Sequence, residues 1–350
     1  MQTVLLLTTT LGLEGAVALE AKEKGFKIVR SESGRVFVDA GYGDIPVFNV
    51  NIRSVERVLY VIGEFESRTF DDLYEGIRSI DWSFLRNPRI WVARVRSVSS
   101  KLFSERAVQS VAMKAIVDAV KEVDGEIPYP VHIYLRRDRA VVAVDSSGFG
   151  LHRRGYRIKY SKAPLRETIA AALLILARYS DQPFHDPFCG SGTIAIEAAL
   201  IASSIPPNAG KAFSSRNWKG LEEIYEVVEK DALRRVKPAK VPIKCSDIDG
   251  EVLKVARENA ERAGVEIEVF ESDFRKVRGK GYGKIVTNPP YGKRLSGVWK
   301  DFRALFENFG GWEKHFISPI KEIWKVVGER PRKITPFFNS GVKVFYHQYF

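Results

Sequence analysis

The chain opens on an apolar run that passes into threonines, VLLLTTT, and a strand is predicted at residues 2–9. The spacing then turns helical, with Leu, Ala and Glu from Leu13 to Lys24. Ile28 to Arg30 and Val36 to Ala40 flank the turn sequence Glu32-Ser33-Gly34, so a hairpin is expected there. Strands follow at Val58 to Phe65 and Ile90 to Val95, a helix at Phe70 to Ile80, and a β-rich stretch from Val131 to Leu151. A long amphipathic helix is expected over Glu105 to Val123, because Val108, Val111, Ala112, Ala115, Ala119 and Val123 line one face. These elements suit two small α+β units in series.

From about residue 161 helix and strand alternate, the signature of a parallel sheet covered on both faces. Helix Leu165 to Tyr179, strand Pro183 to Asp186, helix Thr193 to Ile201, strand Pro242 to Ser246 and helix Gly250 to Ala263 come in turn. Strands Ile267 to Glu271 and Gly283 to Thr287 follow. The last strands, Lys333 to Phe338 and Val342 to Tyr349, are joined by Asn339-Ser340-Gly341, and a hairpin this tight makes the final strand antiparallel to its neighbour.

Composition narrows the class. At 350 residues and 45% hydrophobic content the chain is too long for one ordinary domain and too apolar for a disordered one. Lys and Arg number 55 against 43 Asp and Glu, a net charge of +12 that points to nucleic acid or an acidic membrane surface. The longest apolar run, Ile169 to Ala177, falls short of the ~20 residues a membrane span needs. MQTVLLLTTT lacks the basic start and cleavage site of a signal peptide. Only Cys189 and Cys245 occur, with no CxxC and no Cys/His cluster, so no metal is expected and the compartment is read as reducing and cytoplasmic.

Scattered Lys and Arg are ordinarily solvated faces, but three basic runs resist that reading. Arg94, Arg96, Lys101 and Arg106 fall in RVRSVSSKLFSER, and Arg136, Arg137 and Arg139 sit at a turn. Arg275 to Arg294, including Lys293 and Arg294, contains no acid. Phosphate contacts are the expected use of such runs.

Four motifs fall at strand ends. HDPFCGSGT (residues 185–193) joins a strand to a helix, and Gly190 and Gly192 let the backbone approach a ligand while free amides at the helix start bind a polar group. Asp186 can accept from an ammonium; a tight connection is the competing reading. Ser246-Asp247-Ile248-Asp249 ends the next strand, where a carboxylate can take both ribose hydroxyls, leaving Asp249 to cap the following helix. Ser272-Asp273-Phe274 ends the third, with Asp273 able to accept from an adenine amine and Phe274 able to cover the ring. Asn288-Pro289-Pro290-Tyr291 ends the fourth. The prolines fix the Asn288 amide and the Pro289 carbonyl facing one way, two acceptors for the hydrogens of an exocyclic amine, and Tyr291 can stack on the base. A turn-forming NPP is the alternative, weakened by the three motifs before it.

HDPFCGSGT, SDID, SDF and NPPYG resemble the S-adenosylmethionine-dependent amino-methyltransferases, and a parallel sheet closed by an antiparallel hairpin is the strand order of class I enzymes. ARVRSVSSKLFSERAVQSVAMKAI and LHRRGYR resemble the THUMP region and its junction in the subfamily that holds the guanine-N2 methyltransferases of bacterial large-subunit ribosomal RNA; the tRNA guanine-N2 enzymes are more distant. The resemblance implies a ferredoxin-like unit over residues 1–55, THUMP over 56–155 and a Rossmann-like methyltransferase domain over 156–350. It implies that Asp186, Gly190 and Gly192 hold the methionine end, with Pro187, Phe188 and Thr193 in the same turn, that Asp247 takes the ribose, with Ile248 beside it in the cofactor site, and that Asp273 with Phe274 takes the adenine. Asn288, Pro289 and Tyr291 would hold the target base, Asn288 also facing the cofactor. Arg94, Arg96, Lys101, Arg106, Arg136, Arg137, Lys293 and Arg294 would contact structured RNA. The expected reaction is methyl transfer to the N2 amine of a guanosine by a monomer, with S-adenosylhomocysteine as product and neither metal nor cysteine adduct; adenine N6 in RNA or DNA is the alternative, and a non-catalytic RNA binder comes last. Cys189 is expected to pack.

Overall fold

The computed structural model describes residues 4–157, 165–290, 298–299 and 301–350. The first half folds on one seven-stranded sheet. β1 (Val4–Thr8) lies between β3 (Arg35–Asp39) and β4 (Arg57–Glu66), antiparallel to both, and β2 (Lys27–Glu32) adds outside β3. On its other edge β4 pairs with β7 (Arg139–Asp145), followed outward by β6 (Ile127–Arg136) and the edge strand β5 (Pro88–Val98). The two units expected in series therefore share a continuous sheet, because both edges of β4 are hydrogen-bonded.

Helices α1 (Glu14–Glu23), α2 (Ile45–Asn51), α3 (Phe70–Arg78) and α4 (Glu105–Val120) all lie in this half, and residues of each join the core formed by alternate strand positions such as Leu5, Leu7, Val36, Val58 and Val142. α4 ends three residues before the periodicity does, where Lys121 turns to φ +67°. Leu6, Phe37, Leu59, Tyr134, Val141 and Ala143 face the other way and cluster apart from that core.

The second sheet runs β10 (Glu268–Glu271), β9 (Ile243–Asp247), β8 (Phe184–Asp186), β11 (Lys284–Thr287), β12 (Glu313–Ser318), β14 (Val342–Tyr349), β13 (Lys333–Asn339). The pairs from β10 to β12 are parallel; β14 is antiparallel to both neighbours. One face packs on α5 (Glu167–Leu176), α6 (Thr193–Ala202) and α8 (Gly250–Ala263), the other on an aromatic cluster around Phe302, Phe309 and Phe316. Alternation at the centre shows it: Val286 turns to the first face and Ile285 to the second.

The halves lend side chains to each other's cores. Leu13 and Ala16 of the first join the core under α5. Phe213, Trp218, Leu221 and Tyr225, from the segment around α7 (Glu222–Arg234), join the core of the first. Trp218 stacks on Tyr129 at 4.9 Å and donates its indole N–H to the Pro128 carbonyl at 3.1 Å. The side chain of Arg154, 1% exposed, reaches the Leu151 carbonyl at 2.6 Å and Glu197 at 3.4 Å, pinning the junction. No helix among the described residues is long and apolar enough to cross a membrane.

Candidate active site at the carboxyl edge of the second sheet

β8 lies between β9 and β11, so chain direction leads away from it to opposite sides. A parallel sheet opens its ligand crevice at such a switch point, outside the carboxyl ends of the strands. The residues predicted from the motifs converge there. Asp186 ends β8, Asp247 ends β9, Asp273 follows β10 by two residues and Asn288 follows β11 directly.

Asp186 is 1% exposed and accepts hydrogen bonds from the Thr287 hydroxyl at 2.6 Å and the Phe188 amide at 3.2 Å. Burial pushes its carboxyl up to about 7, and the nearby Asp247 charge adds to the rise. A buried carboxyl with this balance gains most from a cation placed beside it. Thr287 was not foreseen from the sequence; a polar residue closing an apolar strand just before Asn288 is the signal that marks it.

The turn after Asp186 is built for close approach. Gly192, at φ +84°, precedes α6, and a Cβ there would sit 3.2 Å from that of Ala256, so strain and crowding both require glycine. Gly190, at φ +52°, donates its amide to Asp247 at 2.9 Å and ties the turn to the second strand. Thr193 opens α6, whose first amides favour an anionic or polar group. Pro187 is buried and Phe188 packs on Phe274 at 4.8 Å. Cys189 is buried, and its hydrogen bond with Cys245, followed by burial, pushes the thiol up.

The second and third strand ends divide their tasks. Asp249 caps α8 through the Glu251 and Val252 amides at 3.0 and 3.4 Å, while Asp247 accepts from the Gly190 and Asp249 amides. Between them Ile248 is 70% exposed, an apolar surface at the crevice. Asp273 is clamped by Arg275, whose Nε lies 3.0 Å from both carboxylate oxygens; these bonds hold the carboxyl below its usual range. Arg275 also reaches Asp301 at 2.9 Å. Phe274 is 8% exposed and belongs to the aromatic cluster beneath the edge. The Arg275 clamp was not foreseen either; its sequence sign is a cation two residues after the carboxylate.

Asn288 is half-buried and Pro289 buried. Tyr291, Lys293 and Arg294 lie outside the described residues. Of the other predicted RNA contacts, Arg94, Arg96, Lys101, Arg106 and Arg137 are exposed and Arg136 is half-buried. Lys101 and Arg137 come together: the Lys101 amide donates to Asp138 at 2.7 Å and the Arg137 amide to the Val98 carbonyl at 3.3 Å. Arg96 pairs with Glu105 at 3.5 Å and Arg136 with Glu32 at 3.7 Å. No group of three His, Cys, Asp or Glu that could hold a metal ion occurs among the described residues.

Residues 4–59 match the RlmL ferredoxin-like domain, 67–145 the THUMP domain and 154–326 the RMKL-like methyltransferase domain. The chain is 33% identical to "Putative RNA methyltransferase YpsC" of Bacillus subtilis (strain 168), over 99% of itself and 95% of that protein. It is 30% identical to the ribosomal RNA large subunit methyltransferase K/L of Ectopseudomonas mendocina (strain ymp), over 97% of itself; it spans about half, 51%, of that relative's length. The crystal structure of SMU.472 complexed with S-adenosylhomocysteine superposes with a TM-score of 0.91 at 29% identity, covering 100% of this chain and 98% of that one. The buried carboxyl, the glycine turn and the strand-end acids fit a cofactor with an ammonium and a ribose, and S-adenosylmethionine is the cofactor. The chain belongs to the RMKL-like methyltransferases, in the branch where a ferredoxin-like unit and a THUMP domain precede the methyltransferase domain.

Proposed function

We propose that this chain methylates the exocyclic N2 amine of a guanosine in structured RNA, large-subunit ribosomal RNA first and tRNA next. The observation that carries the reading is the place of Asn288 and Pro289: they follow β11 at the switch point, next to Thr287, which is hydrogen-bonded to Asp186. S-adenosylmethionine supplies a methyl group on a sulfonium, an electrophile for an amine. The chain's residues arrange the rest. Asp186 receives the ammonium, Asp247 the ribose, Ile248 and Asp273 the adenine side. The Asn288 amide oxygen and the Pro289 carbonyl accept the two N–H groups of the target amine. A guanine amine is a weak nucleophile because its lone pair is delocalised into the ring; two acceptors that pyramidalise the nitrogen free that pair, and placement contributes the remaining rate. As the nitrogen's bond to the methyl carbon forms, that carbon's bond to sulfur would break, S-adenosylhomocysteine would leave, and the nitrogen would lose a proton to solvent. We assign residues 1–55 and 56–155 to RNA grip and 156–350 to transfer. A paired target must leave its stack, at a cost of about a few kcal/mol that the grip offsets.

The relatives' names support RNA as the acceptor. Incubation with labelled S-adenosylmethionine and a mixture of total RNA and genomic DNA, followed by size fractionation, should place label in large-subunit ribosomal RNA. Label in DNA alone would overturn the reading. Asn288→Ala should abolish transfer while cofactor binding persists; unchanged turnover would refute its role.

A further inference from the structure

Among the described residues, one face of the first sheet carries no helical residue in its apolar cluster of Leu6, Phe37, Leu59, Tyr134, Val141 and Ala143. Arginines lie there: the Arg30 guanidinium is 3.6 Å from the Phe37 ring centre and that of Arg35 is 4.7 Å from Tyr134. Strand β5 forms the rim of this face. Its register sets Trp91 beside Pro130, Arg94 beside His132 and Arg96 beside Tyr134, while Ile90, Val92 and Val95 turn into the helical core. Trp91 is 39% exposed, and past the strand's end Phe103 is 83% exposed, the most exposed large apolar side chain among the described residues.

A ring left in water forgoes the free energy that burying its apolar surface would give. A loose loop would fold it away, but this loop is tied at each step. The Arg137 amide donates to the Val98 carbonyl at 3.3 Å, the Lys101 amide to Asp138 at 2.7 Å, and the Asp138 amide to the Ser100 hydroxyl at 3.1 Å. Leu102 is buried at 5% exposure, and Ser104 caps α4 through the Ala107 amide at 3.3 Å. Phe103, between these anchors, is held outward. Its neighbours are cations: Lys101 and Arg106 along the chain, and Arg137 on the turn pinned to the loop. The nearby carboxylates are engaged, Asp138 by the Lys101 amide and Glu105 by Arg96 and the Ser97 amide.

We propose that the rim from Trp91 along β5 to Phe103 binds unpaired nucleotides of the RNA, with Phe103 stacking on a base and Lys101, Arg106 and Arg137 holding the flanking phosphates. The proposal rests on the RNA-methyltransferase reading and narrows its substrate to RNA with a single-stranded element. Phosphate contacts alone need no exposed ring; a ring among cations matches a single strand, which offers base faces as well as charge, whereas a duplex keeps its base faces stacked. The chain rises about 3.3 Å per residue in a strand, so Trp91 and Val98 stand roughly 20 Å apart, room for several nucleotides.

The test uses the full chain and two labelled RNAs with equal numbers of phosphates, an unstructured oligouridine of about 12 nucleotides and a blunt hairpin. Phe103→Ala should weaken oligouridine binding about tenfold and hairpin binding less than twofold, with an unchanged salt slope. Phe103→Trp should restore affinity, and Lys101→Gln should weaken both RNAs and flatten the slope. Equal loss on both RNAs, no loss on either, or a lowered unfolding midpoint for Phe103→Ala overturns the proposal. Methyl transfer by the unaltered protein to total RNA is measured alongside. Transfer with Phe103-independent binding removes this inference alone; Phe103-dependent binding without transfer removes the reaction alone.

Discussion

Asp186→Asn makes a quantitative test of the crevice. The carboxyl titrates at about 7 in the folded, cofactor-free protein against an ordinary 3.8, a difference of roughly 4 kcal/mol against the fold once pH exceeds both values. Because the folded value lies above the unfolded one, the group's contribution is fully present below 3.8 and is lost as pH rises through about 7. Between pH 5.5 and 8.0 the loss from this group alone is about 2 kcal/mol. Other groups titrate over the same range, so the informative quantity is the wild-type stability minus that of the variant, from urea unfolding without cofactor at both values. That difference should fall by about 2 kcal/mol from pH 5.5 to 8.0. With cofactor the sign reverses in meaning: an ammonium favours the ionised carboxylate, so wild-type affinity should weaken as pH falls below 7 and the variant should bind poorly throughout. A pH-independent difference in stability, or a cofactor affinity flat from pH 8.0 to 5.5, would refute the account of Asp186.

The adjacent carboxylates separate by task. Asp249→Ala should cost about 1 kcal/mol of stability through the lost cap and leave cofactor affinity nearly unchanged, while Asp247→Ala should weaken the cofactor, both read by unfolding and calorimetry. Trp218→Ala removes a side chain 1% exposed that stacks on Tyr129 across the two halves; a loss of about 3–5 kcal/mol is expected, and less than 1 would show that the contact does not hold them together. Gly12→Ala places a Cβ 2.2 Å from the Pro336 carbonyl at φ +96°, a clash of backbone with backbone, so it should lower the thermal midpoint more than Gly15→Ala, where no atom lies within 4 Å.

The methyltransferase sheet was legible because its signals are local: short apolar strands, glycine and proline punctuation, and a carboxylate or amide closing each strand. Asp249, expected as the cap of α8, accepts the Glu251 and Val252 amides for the same reason, since a cap is fixed by the next three residues. What escaped is long-range. No element was expected over α2, which Pro46 at the helix start and the packing of Phe48 into the core set up. β12 was hidden by the charges of Glu313 and Lys314; Glu313 pairs with Lys284 at 2.8 Å. The sharing of one sheet by the ferredoxin-like and THUMP units depends on which edge β4 offers, and no spacing in the sequence records that. Phe274, read as a cover for adenine, is buried because Phe188 and Phe302, distant in sequence, close on it.

The central claim is that Asn288 and Pro289 present a guanine amine to the methyl donor. Its most direct test is the product: RNA methylated by the pure protein with isotopically labelled S-adenosylmethionine, digested to nucleosides and resolved by mass spectrometry. N2-methylguanosine carrying the label is the predicted result, and labelled N6-methyladenosine in its place would contradict it.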